Sequence, residues 1–416
     1  MKDNEEGTTH GGTGFIEAGT PAFHRTNLAM FVAGFSTFTL LWCVQPVMPV
    51  FSREFHVSPA TSSLSLSLST GLLAFSILLA GALSEAWGRK PLMVISLTAA
   101  AALTLGSAFV SGWHQLLMIR ALAGLAFGGL PAIAMAYLSE EMHPRDLGLA
   151  MGLYIGGSAL GGMSGRLFTG ILTDLVSWRF ALAVIGAMGL AGAVLFWRSL
   201  PPSKHFHPLS LAPRVLLSSY LNHIRDAGLF LLFAEGFLLM GSFVTVYNYI
   251  SYRLLAPPYS LSQTAVGSIF LVYLIGIGSS AWVGDLGSRL GRSRVLWVMF
   301  MVMLSGIGLT LFRPLPVIIA GVALLTFGFY GGHSITSSWV GLRAKQAKAQ
   351  ASSLYLFSYY IGSSLAGFSG GFFWSAHAWY GVAAFVGCIL LLALAISLRL
   401  AQLLPQSANS VAIPTA

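Results

Sequence analysis

One carboxylate, Glu235, stands inside a long apolar run, Leu231-Leu-Phe-Ala-Glu235-Gly-Phe-Leu-Leu-Met240. Two guanidiniums, Arg120 and Arg166, sit in runs of the same kind, and His333 lies among glycines in another. Hydrocarbon disfavours such groups. A guanidinium at mid-span costs roughly 2.5–3.5 kcal/mol even on the lenient insertion scale, so each needs a partner or a task. A carboxyl or an imidazole can take up a proton on one side of a membrane and release it on the other. Glu235 is the expected proton carrier, with His333 as a second group able to relay. The alternatives are a permanently neutral or paired structural Glu235 and a satisfied helix-contact His333. For Arg120 and Arg166 they are snorkelling to the interface or bonding to helix carbonyls.

Helix rise places these groups in depth. Glu235 lies about nine residues, or about 13 Å, into its span, near the middle. Arg166, about 19 residues along its span, falls in the far third, and Arg120 comes to a similar depth from the other end. A direct Glu235–Arg166 ion pair is not expected. Gln45 beside Pro46, Tyr154, Arg166, Asn248, Tyr359 and Tyr360 are candidate walls of a solute cavity. Aromatic and amide groups around an apolar cleft suit amphipathic solutes, although any one of them can equally be packing.

A second constellation is Gly81-Ala-Leu-Ser-Glu85-Ala-Trp-Gly88-Arg89-Lys90, which returns 203 residues later as Gly284-Asp-Leu-Gly-Ser-Arg289-Leu-Gly291-Arg292. Glycine permits the turn. Glu85 with Arg89 and Lys90 can hold neighbouring helix ends in one gating state and release them in another; alternatively the bases only mark topology. The second copy has Ser288 at the acidic position. A further alignment, at an offset of 205, matches Tyr154, Gly157, Ser158, Leu160, Gly162, Ser164, Gly165 and Phe168 to Tyr359, Gly362, Ser363, Leu365, Gly367, Ser369, Gly370 and Phe373. Gly157, Gly161 and Gly165 share one helix face, as do Gly362, Ala366 and Gly370, and either pack helices or serve gating. Two similar halves in the same order form a parallel repeat, a transporter architecture.

The elements that position these groups follow from composition. Of 416 residues, 56% are apolar and 8% charged. That makes an all-α membrane protein, with twelve windows long enough to cross a bilayer: 27–51, 62–84, 91–110, 115–138, 147–171, 178–198, 227–250, 264–283, 294–312, 315–338, 349–372 and 379–402. They divide into an N-terminal six-helix bundle (27–198) and a C-terminal one (227–402). Around the bundles lie a tail (1–26) read as disordered, a Pro-rich basic linker (199–226) and a C-terminal tail (403–416). Cations concentrate on one set of loops, including Arg89, Lys90, Arg145, Arg198, Arg289, Arg292, Arg294, Arg343 and Lys345, whereas the opposite set holds Arg53, Arg179, Arg253 and Arg313. The positive-inside bias then puts both termini in the cytoplasm and explains the net charge of +9 without nucleic acid.

Cys43 and Cys388 both fall within spans, and the ten histidines have no ligand spacing, so no metal, cofactor or disulfide framework is expected. No phosphate-cradling loop, metalloprotease helix or nucleophile elbow is found, so catalysis is not expected and active transport needs an ion gradient or a partner.

With these stretches in place, together with Tyr137-Leu-Ser-Glu-Glu141, Met151-Gly-Leu-Tyr154, Gly161-Gly-Met-Ser-Gly-Arg166 and Ala351-Ser-Ser-Leu-Tyr-Leu-Phe-Ser-Tyr-Tyr360, the chain resembles the major facilitator superfamily, in its drug:proton antiporter branch. The resemblance implies two six-helix bundles rocking about a midplane site, and gating by the loop motif. It also associates Arg120 with proton relay and the glycine face with antiport, although Gly162 replaces the family's Pro, Arg166 its final Gly and Ala123 its usual Gln. The expectation is a monomeric inner (plasma) membrane transporter that exports a small amphipathic solute, drug-like or a sugar such as arabinose, against protons. An organic-anion or sugar-acid carrier and a membrane solute sensor are the alternatives.

Overall fold

The computed structural model describes residues 14–206 and 213–403. The expected tails up to 13 and beyond 403, and linker residues 207–212, lie outside the described residues. Among those described, eleven stretches are long and apolar enough to cross a membrane. The last, Lys348–Gln402, has 55 residues, which as one helix would be about 80 Å long, far beyond a bilayer core of about 30 Å. Its helix breaks at His377 and Ala378, where Ala378 takes φ 48°. Phe385 then stacks back on Phe373 at 4.4 Å between ring centres. The chain therefore reverses there, and the crossings among the described residues number twelve.

The first crossing is α1 (Pro21–Trp42), a 3₁₀ turn at Gln45–Val47 and α2 (Met48–Glu54); α3 (Pro59–Trp87) and α4 (Arg89–Gly106) follow. The fourth combines α5 (Trp113–Phe127) with α6 (Pro131–Glu141), and α7 (Leu147–Leu175) and α8 (Trp178–Ser199) complete the first half. A linker helix, α9 (Pro213–Arg225), leads to α10 (Ala227–Leu255), then α11 (Gln263–Ser268) with α12 (Tyr273–Leu290), α13 (Arg292–Leu309), α14 (Leu315–Arg343) and the two arms of α15 (Lys348–Leu403). Starts are written in the sequence. Thr20, Ser58, Ser177, Asp226 and Ser262 each cap a helix with a side-chain oxygen, and Pro21 and Pro59 fill first-turn positions that need no N–H donor.

Two departures from the sequence expectation stand at the charged-loop end. The tail was expected to be disordered to residue 26, yet α1 opens at Pro21 and Ile16 forms a parallel bridge with Met142. Phe15 stacks on His205 at 4.5 Å. The linker, read only as Pro-rich and basic, carries a helix, α9, that opens at Pro213.

The glycine faces bring the paired helices into backbone contact. A Cβ on Gly161 would lie 2.1 Å from Phe35 O of α1, and one on Gly362 the same distance from Phe237 O of α10. The same pairing thus recurs in both halves, with α7 against α1 and α15 against α10. Any side chain at either glycine would force the helices apart.

Candidate functional site

The break after α1 builds the first part of the site. Helix α1 ends with exposed carbonyl dipoles before Gln45-Pro46, and Arg120 from α5 satisfies them. Its Nη1 and Nη2 donate to Leu40 O and Leu41 O at 3.3 and 3.0 Å, and its Nε donates to Ser65 O at 3.1 Å. A guanidinium at a helix C-terminus is where the macrodipole favours a cation. Arg120 is fully buried, and carbonyls of α1 and α3 hold its fork.

Arg166 has different company. Its Nε donates to Gln45 Oε1 at 2.6 Å and its Nη1 to Gly162 O at 2.7 Å. Trp42, Phe270 and Tyr273 present their rings within 4.5–5.0 Å of its guanidinium carbon. Such a box favours a cation by the ring quadrupoles while excluding water. Two of those rings belong to the other half, so Arg166 sits at the seam. Gln45 carries the contact further, its Nε2 donating to Asn248 Oδ1 at 2.7 Å. The expected cavity residues Gln45, Arg166 and Asn248 thus form one cluster, and Asn248 Nδ2 is buried without a partner among the described residues.

Glu235 is fully buried on α10, and neither carboxyl oxygen has a hydrogen-bond partner among the described residues. Beside it, across Gly236, lies Tyr355 of α15: a Cβ on Gly236 would come within 2.6 Å of Tyr355 Cε2. The Tyr355 hydroxyl and His333 Nδ1 of α14 are 2.8 Å apart. The His333 ring packs 4.8 Å from that of Tyr359, which meets Tyr360 edge-on at 5.2 Å. Glu235, His333, Tyr359 and Tyr360 therefore share one neighbourhood in the second half, whereas Tyr154 of α7 is buried in the first half with its hydroxyl unpartnered among the described residues. Arg166 and Glu235 form no ion pair. Around these groups Phe243, Tyr247, Phe329 and Tyr330 form an aromatic wall, with Phe243 stacked on Phe329 at 3.8 Å.

Sequence reasoning missed Tyr355, although it stands four residues before Tyr359 and so on the same helix face. It also missed the aromatic wall, whose members are too widely spaced in the chain to read as a set.

At the charged-loop end, Arg89 is the hub of the first motif copy. Its Nη2 donates to Glu85 Oε1 at 2.6 Å and to Glu140 Oε1 at 2.7 Å, and its Nε reaches Glu140 Oε2 at 3.2 Å. Ser84 and Lys90 add a hydroxyl acceptor for Arg89 and a donor to Leu200 O. Glu140, at the end of α6, was quoted in the sequence only as part of a run. Gly88 and Gly291 both take positive φ, 84° and 95°, at the two equivalent turns. Gly81 faces open space, while Gly284 lies against Ser334. In the second copy Arg289 pairs with Asp285 at 2.9 Å on an exposed surface, and Arg292 opens α13.

The halves are tied mainly away from these loops. Gln45–Asn248 is joined there by Ser52–Tyr252 at 2.7 Å and by Asp174, which accepts from Gln263 N and Thr264 N at 3.0 and 2.6 Å. Nearer the middle, Ser364 Oγ donates to Ser67 O at 2.7 Å. The ion pairs of the charged-loop end, Arg89 with Glu85 and Glu140 and Arg343 with Asp226, each stay within one half.

Comparison with known proteins agrees with this architecture. Residues 30–367 match the family model described as Major Facilitator Superfamily. The chain is 53% identical to the inner membrane transport protein YnfM of Escherichia coli K12 over 386 residues, 93% of each chain. It is 50% identical to the uncharacterized MFS-type transporter YybF of Bacillus subtilis, over 93% of this chain and 96% of that one. Among solved structures it resembles a bacterial homolog of the human lysosomal transporter Spinster, in an inward-facing, unoccupied conformation (TM-score 0.76, 15% identity, 92% and 98% covered). The nucleoside transporter NupG is similar to the same degree (TM-score 0.77, 14% identity, 90% and 99% covered).

Proposed function

The chain belongs to the major facilitator superfamily of transporters, and from that premise we propose that it is a proton-coupled secondary transporter of the inner membrane, exporting a small amphipathic solute by alternating access. The observation that carries the reading is Glu235: a fully buried carboxyl without a hydrogen-bond partner, beside the Tyr355–His333 pair. A group so placed has no structural bond to lose when it gains or loses a proton, and the hydroxyl and imidazole offer a path toward the seam. The positive-inside bias takes the charged-loop end as cytoplasmic, with both termini there. Cross-half bonds then close the outer end, while the Arg89 cluster, confined to one half, leaves the inner ends able to part. The aromatic wall and the amide pair at the seam suit a solute with an apolar body and a few polar groups.

A second reading, transport of organic anions, draws on Arg166, whose hydrogen-bond partners are an amide and a carbonyl oxygen with no carboxylate. Purified protein in proteoliposomes, with and without a pH gradient, tests the proposal. Solute accumulation that follows the gradient and alkalinises or acidifies the lumen in step supports it, while flux indifferent to the gradient overturns proton coupling. Binding without flux would make the protein a sensor.

A further inference from the structure

We propose that the cleft at the charged-loop end of the second half binds a phosphate-bearing anion. The cleft has a volume of about 1100 Å³ and lies between α9, the turn from α12 to α13 and the turn after α14. Arg289, Arg292, Arg294, Arg343 and Lys345 line it, with His223 at its side. Asp226, the carboxylate of the lining, is already engaged by Arg343 through two bonds of 2.6 and 3.0 Å, and Arg289 is paired with Asp285. Arg292, Arg294 and Lys345 have no protein partner among the described residues.

The duplication shows what is missing. In the first half Arg89 follows the positive-φ Gly88, and Glu140 neutralises it. In the second half Arg292 follows the positive-φ Gly291, but at the 203-residue offset that relates Gly88 to Gly291 Glu140 falls on Arg343, itself engaged by Asp226. A base stands where the other half supplies its acid. The first half is thus self-neutralised, and the second presents converging cations that a bound anion would satisfy. Helix α13, 18 residues long, begins in the same cleft without a side-chain cap, so its first turn adds unsatisfied donors and the positive end of its dipole.

A lipid headgroup and a phosphate ester in solution offer the same chemistry. Leu290 and Leu342, 54% and 60% exposed, line the cleft as well and give an acyl chain a place to lie. The inference does not depend on which solute is transported.

The test uses the full chain in phosphatidylcholine nanodiscs, followed by thermal unfolding and native mass spectrometry. One arm adds phosphatidylglycerol, and the other adds inositol hexakisphosphate or inorganic phosphate at matched ionic strength. Stabilisation in the first arm identifies a lipid headgroup and in the second a soluble phosphate. Either should weaken roughly fivefold for each cation removed in Arg292→Gln, Arg294→Gln and Lys345→Gln. A control lacking Arg145, Lys204 and Arg399 side-chain charge should bind normally. Lys345→Glu reverses one cation of the cleft, and it should abolish binding while leaving unfolding without ligand unchanged or raised. No stabilisation in either arm, equal losses in the control, or undiminished binding by Lys345→Glu overturns the proposal.

Discussion

Gln45 of the first half donates to Asn248 of the second at 2.7 Å, while the same amide accepts from Arg166. One side chain therefore couples a buried cation to the closure of the seam.

Asn248→Ala removes that tie and leaves Gln45 on Arg166. One net hydrogen bond is worth about 1 kcal/mol, so the open fraction of the outer end should rise about fivefold. Spin-label distances between the 56–58 and 258–260 loops measure it. An unchanged distribution would remove Gln45–Asn248 from the gate.

The Arg89 cluster makes an ordered prediction. Glu140 meets Arg89 with both oxygens from a distant helix, whereas Glu85 meets it through one oxygen from the last turn of α3. Glu140→Gln should slow transport more than Glu85→Gln, with solute binding and expression largely kept. Equal turnover in both variants and wild type would leave Arg89 a topology marker.

The two buried arginines should separate. Arg120→Lys keeps charge but cannot reach three carbonyls, so it should lower stability by about 2 kcal/mol or more, read as thermal unfolding in detergent. Arg166→Lys loses its planar fit in the ring box, and it should weaken binding of anionic solutes more than neutral ones. Identical profiles for the two variants would contradict the division.

Burial would raise the Asp226 carboxyl, but Arg343 and the Leu229 and Gly228 amides outweigh it and hold it below its ordinary value. A depressed carboxyl contributes stability that is present above its unfolded pKa, about 3.9, and is lost as pH falls through the folded value. Asp226→Asn retains a cap for Leu229 while removing the charge. With the pair partly exposed, the variant should cost under about 1 kcal/mol at pH 7 and progressively less as the pH falls below the ordinary carboxyl range. Hydrogen exchange at the start of α10 reports it, and a cost that does not shrink as the pH is lowered would assign the effect to the cap.

How much of this was legible depends on how far apart the interacting residues lie. The loop repeat could be read because Gly88 and Gly291 must turn the chain locally, and the glycine faces because four-residue spacing is a helical period. Arg89's tie to Glu140, by contrast, spans 51 residues, and nothing in either segment names the other. Arg166 could be singled out because a guanidinium in an apolar run is unusual, yet its box joins Trp42 to Phe270 and Tyr273 through tertiary packing alone. Glu235 announced itself, since lipid excludes an idle carboxylate. Its neighbour Tyr355 did not, because tyrosine is at home in such helices.

Glu235 carries the last prediction. Glu235→Gln fixes the side chain in the shape of its protonated form with nearly the same volume. A site that cannot change protonation has no differential response to the proton concentrations on the two sides, so gradient-driven accumulation should collapse while solute-for-solute exchange persists. Tyr355→Phe removes the hydroxyl that meets His333, and it should slow coupled flux while leaving its pH-gradient dependence in place, because a relay sets rate rather than stoichiometry. Both are measured as solute flux and internal pH in the same vesicles. Accumulation at the wild-type level in the Gln variant would move the coupling to His333 or elsewhere, and loss of exchange along with accumulation would make Glu235 part of the solute site instead.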